Sequence, residues 1–159
     1  MRLLLVPMML AAGSSLCVAQ VADSPICKLF TQKEASAYVG ASLGDGQNDF
    51  MPGAIGCGWS DDAAGSKLSI SVLPAGNALQ LKNWGFESWD GFRAVPDIGA
   101  RAYVARRPVM EIAGQKYGGE WQAGAIVGSE YVAVDLKGPK GNADTAVVLL
   151  KDVIKRRQR

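Results

Sequence analysis

Carboxylates are the first candidates for chemistry in this chain. Asp61-Asp62, Asp90, Asp97, Glu111, Glu120 and Glu130 are available, and two acids at a suitable separation are enough to hydrolyse a glycosidic bond. Their spacing does not say which of them converge. Asp61-Asp62, followed by Ala-Ala-Gly-Ser, reads as a solvated turn. Histidine is absent from all 159 residues, which removes imidazole triads, His-containing zinc sites and imidazole proton shuttles. No Ser-x-x-Lys arrangement marks a nucleophile. Gly53-x-x-Gly56-x-Gly58 lacks the Lys-Ser/Thr of a phosphate loop and the order of a dinucleotide fingerprint. Asp45 to Asp49 opens like a calcium loop, then places Phe50 where glycine is needed and has no closing glutamate. Neither a cofactor nor a metal is expected, and no catalytic residue is assigned.

Two other groups of residues suit binding. Trp84, Phe86, Trp89 and Phe92 crowd four aromatics into nine residues, interleaved with glycine and acid. Exposed, they would be the kind of anchor that partner surfaces favour; buried, they would close over one end of the structure. Lys151, Lys155, Arg156, Arg157 and Arg159 concentrate positive charge at the end of the chain. At a helix C-terminus such charge complements the helix dipole, and it can also attract an anionic lipid or polymer. Arg93, Arg101, Arg106 and Arg107 would suggest an anionic ligand if the fold placed them on one face.

The start of the chain reads as an address. Met1-Arg2 is followed by an apolar run from Leu3 to Ala12 and a small, uncharged stretch ending Cys17-Val18-Ala19. That run is too short to span a membrane. With cleavage after Ala19 it forms a secretory signal over residues 1–19, leaving a single domain over 20–159 and no transmembrane span in the mature chain. Lipidation at Cys17 is the competing reading, disfavoured by the bulky Leu16 before it. Export predicts a periplasmic or secreted protein. Of three cysteines, Cys17 leaves with the signal, and an oxidising compartment pairs Cys27 with Cys57. Apolar residues make up 48% of the chain and the net charge is +2. The first figure describes a globular protein, and the second is too small to suggest nucleic acid as the partner.

The elements that position these residues can be read in turn. Thr31-Gln32-Lys33-Glu34 is a capping box, followed by Ala35, Tyr38 and Val39 on one face and Gly40 as a left-handed stop. Gly44 to Gly58, rich in glycine, asparagine and aspartate, reads as loop. Leu68, Ile70 and Val72 alternate with Ser69 and Ser71, which marks a strand with one wet face. Asn77 to Trp84 reads as a short helix. Arg101 to Arg106 and Val109 to Ala113 read as strands, the first with Ala102 and Val104 inward. Gly128-Ser129 suits a two-residue hairpin turn pairing Trp121 with Leu136, Ala123 with Val134 and Ala125 with Val132. The opposite hairpin face carries Gln122, Gly124, Ile126, Tyr131, Ala133 and Asp135, more polar and partly open. Asn142 caps a final helix with Ala146, Val147, Leu150, Val153 and Ile154 as its apolar stripe. The fold class is α+β: an antiparallel sheet of about five or six strands, with N-terminal and C-terminal helices packed on one face and one disulfide.

Cys27-Lys28-Leu29-Phe30-Thr31, Glu34-Ala35, Gly40 and Cys57-Gly58-Trp59 together resemble a pattern in small exported bacterial proteins and lipoproteins of unknown function. Val95-Pro96-Asp97-Ile98-Gly99-Ala100-Arg101-Ala102-Tyr103 is similar to that group's turn into a central strand, as are the closing hairpin and final helix. The resemblance implies a PsbP-like α/β sandwich and brings no catalytic residue with it. Cys17 departs from the lipoprotein members in its poor lipid-attachment context.

The functional expectation is an exported, non-catalytic interaction module that binds another envelope or secreted protein, for example as an inhibitor or immunity protein. Trp84, Phe86, Trp89 and Phe92 are its candidate partner-binding residues. A carrier of a small ligand or lipid, using the open hairpin face near Ile126, Tyr131 and Ala133, is the alternative. A hydrolase built on two carboxylates is the third reading. Partner identity and oligomeric state are not set by the sequence.

Overall fold

A computed structural model of the chain describes residues 24–49, 53–78, 85–99 and 101–159. The proposed signal at 1–19, with Cys17, and the aromatic Trp84 lie outside the described residues. Strands β1 (Gln47–Asn48), β2 (Ile55–Asp61), β3 (Ser66–Pro74), β4 (Asp90–Ala94), β5 (Tyr103–Arg106), β8 (Trp121–Val127) and β9 (Glu130–Lys137) form one sheet. Its order is β1-β2-β3-β9-β8-β5-β4, and every neighbouring pair is antiparallel. Strands β6 (Met110–Ile112) and β7 (Gln115–Tyr117) form a separate two-stranded ribbon.

Helix α1 (Gln32–Val39) begins at the expected capping box. The Thr31 hydroxyl accepts the Glu34 amide, and the Glu34 carboxylate accepts the Thr31 amide at 2.8 Å. Gly40 stops the helix with φ of +77°, a conformation that glycine enters without a Cβ penalty. The final helix α3 (Ala143–Arg157) starts where the Asn142 side chain accepts the Thr145 amide at 2.9 Å. Both helices pack on one face of the sheet. Ala35 and Val39 from α1, and Ala146, Leu149, Leu150 and Val153 from α3, join Trp59, Leu68, Ile70, Val104, Ala123, Val134 and Leu136 in one core. Leu149 belongs to this core beside the stripe read from the sequence.

The closing hairpin has the expected register, with Trp121 opposite Leu136 and Val127 opposite Glu130, and Gly128 opens its turn at φ +60°. One reading changes. Gly44 to Gly58 is not all loop: Gln47–Asn48 and Ile55 to Gly58 are strand, and Gly56 passes between neighbouring segments where a Cβ would lie 3.0 Å from the Ile70 carbonyl oxygen. Of the helix expected at 77–84, Asn77 and Ala78 belong to helix α2 (Ala75–Ala78), directly off β3, and residues 79–84 lie outside the described residues.

The disulfide joins Cys27 to Cys57 across 5.1 Å between Cα atoms. It fastens the 3-10 turn Pro25–Lys28 to β2, and Ile26 and Phe30 on either side enter the core. Among the described residues no helix is long and apolar enough to cross a membrane.

Candidate functional site

The sheet face opposite the helices carries the polar residues, arranged in rows by strand register. Lys67 on β3 stands directly opposite Lys137 on β9. Trp121 pairs with both Leu136 and Arg106, so Glu120 and Arg107, one residue beyond on the other face, complete that row. A backbone hydrogen bond from the Arg107 amide to the Glu120 carbonyl confirms the alignment. The next row holds Ser69, Asp135, Gln122 and Ala105, and the third Ser71, Ala133, Gly124 and Tyr103.

Both carboxylates lie beneath the cations. Glu120 is only 3% exposed at its side chain, with the Lys67 Nζ and Arg107 Nε each 3.4 Å from its Oε1. Asp135 accepts from Gln122 Nε2 at 2.9 Å, Ser69 Oγ at 3.2 Å and Arg107 Nη2 at 3.3 Å. Burial pushes its carboxyl above the ordinary 3.8, and Arg107 opposes that rise. The acids thus orient Arg107 and Lys67, whose outer surfaces remain open to solvent.

Further along the same face the network becomes aromatic. The Tyr103 and Tyr131 hydroxyls meet at 2.8 Å, and Tyr103 also reaches Gln122 Oε1 at 2.8 Å. Burial raises both phenols above their ordinary 10.0, so they stay protonated. Tyr131 can lie so close because Gly124 is opposite Ala133 and bare: a Cβ there would meet the Tyr131 ring at 2.9 Å. Phe86 stacks on Tyr103 at 4.5 Å, Trp89 meets Phe86 edge-on at 4.7 Å, and Phe92 stacks on Tyr103 at 6.3 Å.

The predicted partner-binding aromatics therefore divide. Phe86 is buried, Trp89 is half-buried and Phe92, on strand β4, is exposed. The hairpin face read as partly open is covered, since Tyr131 and Ala133 lie buried in a cluster with Phe86 and Trp89. Pairing with β3 and β5 and the turn Phe86–Ser88 close it, and these contacts are distant in sequence.

Of the acids singled out by type, Glu120 alone joins this network. Asp97 pairs with Lys151, Glu130 with Arg157, and Asp61 accepts the Ala63 and Ala64 amides in a turn. Of the four arginines, Arg107 joins it, Arg93 pairs with Asp144 and Arg106 donates to the Gly119 carbonyl. At the chain end, Arg156 is a clamp rather than a solvated charge. It lies 4.0 Å over the Phe30 ring and bonds the Leu29 carbonyl, Glu34 and Asp152.

The ribbon is the second feature of note, and it continues the β5–β8 hairpin past the end of the sheet. The chain bends out at Gly118 and Gly119, with φ of +93° and +80°. Lys137 Nζ and Arg106 Nε hold the carbonyls of those two glycines. Register places Met110, Ile112, Gln115 and Tyr117 on one ribbon face and the Glu111–Lys116 pair on the other. Val109, Met110, Ile112 and Tyr117 are between 48% and 61% exposed. The sequence reads as strand from Val109 to Ala113, and Met110–Ile112 are strand; nothing local shows that this strand leaves the sheet.

Compared with family models, curated proteins and solved structures, the chain matches none.

Proposed function

We propose that this chain is an exported, non-catalytic interaction module that binds another envelope or secreted protein, with the β6–β7 ribbon as its docking element. The carrying observation is the ribbon's apolar face, where Met110, Ile112 and Tyr117 stand exposed beside Val109. Side chains of this size are usually buried, and a projecting two-stranded arm presents them to a concave partner surface. An inhibitor or immunity protein would use such an arm to fill a cleft. The signal-like residues 1–19, the Cys27–Cys57 disulfide and the resemblance to small exported bacterial proteins support export to the periplasm or beyond. On this reading Phe86 and Trp89 shape the face behind the ribbon, while Phe92 offers a secondary contact.

The test is capture from envelope and secreted fractions with the mature, oxidised chain alongside an Ile112→Ser/Tyr117→Ser double variant. Both side chains are solvent-facing, so the thermal midpoint should be unchanged. The partner recovered by the wild type should bind the variant about tenfold or more weakly. Equal binding by the two proteins removes the ribbon from the interface.

A further inference from the structure

At the root of the ribbon the row Lys67, Lys137, Glu120, Arg107 holds three cations and one anion, and its single anion is hidden. Glu120 is 3% exposed, whereas Lys67 is 43% and Arg107 33% exposed at the side chain, and Lys137 is exposed. Solvent therefore meets three cationic side chains. Lys67 and Lys137 are direct cross-strand neighbours, an arrangement of like charges that destabilises a sheet. Lys67 has Glu120 to offset this, at 3.4 Å. Lys137 has only the Gly118 carbonyl among the described residues, also at 3.4 Å. Arg107 keeps a buried Nε with no hydrogen-bond partner, 3.4 Å from Glu120 but misaligned with it. A neutral structural network needs no third cation here.

We propose that Lys67, Lys137 and Arg107 form a binding notch for an oxyanion. The anionic oxygens would sit between the two ammonium groups, with the guanidinium closing one side. Asp135 and Glu120 serve as positioning residues, holding Arg107 and Lys67 from beneath. The chemistry recognised is that of a phosphate or a carboxylate, either free or carried on an acidic side chain of a docked protein. This inference stands on the β3–β9 register and does not depend on the ribbon being a docking face.

The experiment is calorimetric titration of the mature chain with inorganic phosphate and, separately, acetate, at constant ionic strength set with chloride. Saturable uptake is expected in the wild type. Lys137→Gln should weaken it about tenfold, the loss of one charge-assisted hydrogen bond. Lys116→Gln, which removes an exposed cation from the ribbon, should bind as the wild type does. Lys137→Gln also relieves the Lys67–Lys137 repulsion, so its thermal midpoint at low salt should equal or exceed that of the wild type, which separates lost binding from lost folding. Uptake of phosphate alone assigns the notch to phosphate; uptake of both anions extends it to carboxylates. Absence of saturable uptake of either anion, or equal weakening in Lys116→Gln and Lys137→Gln, overturns the proposal.

Discussion

Single side chains in this protein join parts of the chain that are far apart, and Glu34 is the clearest case. Its carboxylate accepts from the Thr31 amide at 2.8 Å, the Thr31 hydroxyl at 2.9 Å and Arg156 at 3.0 Å. The Thr31 amide, followed by Arg156, lowers its pKa from 4.5 to about 2. Because the folded value is depressed, the stability it contributes is present above pH 4.5 and is lost as pH falls through about 2. Glutamine keeps the shape and much of the capping box but loses the charge. Glu34→Gln should therefore cost about 1 kcal/mol at pH 7, a cap-sized loss with the partly exposed ion pair discounted for screening. In strongly acid solution the difference should vanish. Urea midpoints of both proteins at pH 7 and near pH 2 check this, and an equal gap at both pH values sinks the ionic account.

At the scale of elements, the ribbon carries an imperfection in its own turn. Ala113 has φ of +51°, the one positive value outside glycine among the described residues, and Gly114 follows at +78°. Two successive positive φ values are what a type I′ hairpin turn demands, and asparagine before glycine meets that demand best. Alanine in the left-handed region costs about 1–2 kcal/mol. Ala113→Asn should stabilise the ribbon locally and slow exchange of its paired amides about two- to fivefold, leaving the midpoint of global unfolding nearly unmoved. Unchanged exchange would mean that the turn does not limit ribbon opening. The contrast with Gly128-Ser129 shows what a sequence makes legible. That turn has glycine at its positive-φ position, and with period-two strands on both sides its whole register could be read off. The capping box at Thr31 and the Asn142 cap are local in the same way. The oxyanion notch was not legible, because it depends on β3 lying beside β9, a pairing that spans 70 residues between Lys67 and Lys137. Asp135 could be placed on the outer hairpin face, yet nothing local brings Ser69 or Arg107 to it. Gly44 to Gly58 misled for the opposite reason: Gly56, which suggests a loop, lets β2 pass close to Ile70 and Asp49.

Taken whole, the molecule is one sheet with two unlike coverings. Helices α1 and α3 close one face with aliphatic side chains, while the other passes from aromatic stacking at Phe86, Tyr103 and Tyr131 to charge at Lys67, Lys137 and Arg107. The N-terminal segment belongs to the helix side and is held there from both directions. Ile26 and Phe30 enter the core, Arg156 grips the Leu29 carbonyl, and Cys27 is bonded to a fully buried Cys57. The disulfide closes a loop with a sequence separation of 30, which in the chain-entropy model constrains the unfolded state by about 3.5 kcal/mol. Its removal should therefore act on the stability of the entire domain and not on the terminal turn alone. A Cys27→Ser/Cys57→Ala variant, in which alanine fills the buried position without adding a polar group, should lose about 3 kcal/mol in urea unfolding. Because Phe30 and Arg156 still anchor the segment, the variant should keep its near-ultraviolet tryptophan signal from Trp59, which packs edge-on against Phe30 at 6.5 Å. A lower midpoint with that signal retained assigns the disulfide to the unfolded state. A lost signal assigns it to holding the first turn in place, and an unchanged midpoint denies it any part in stability.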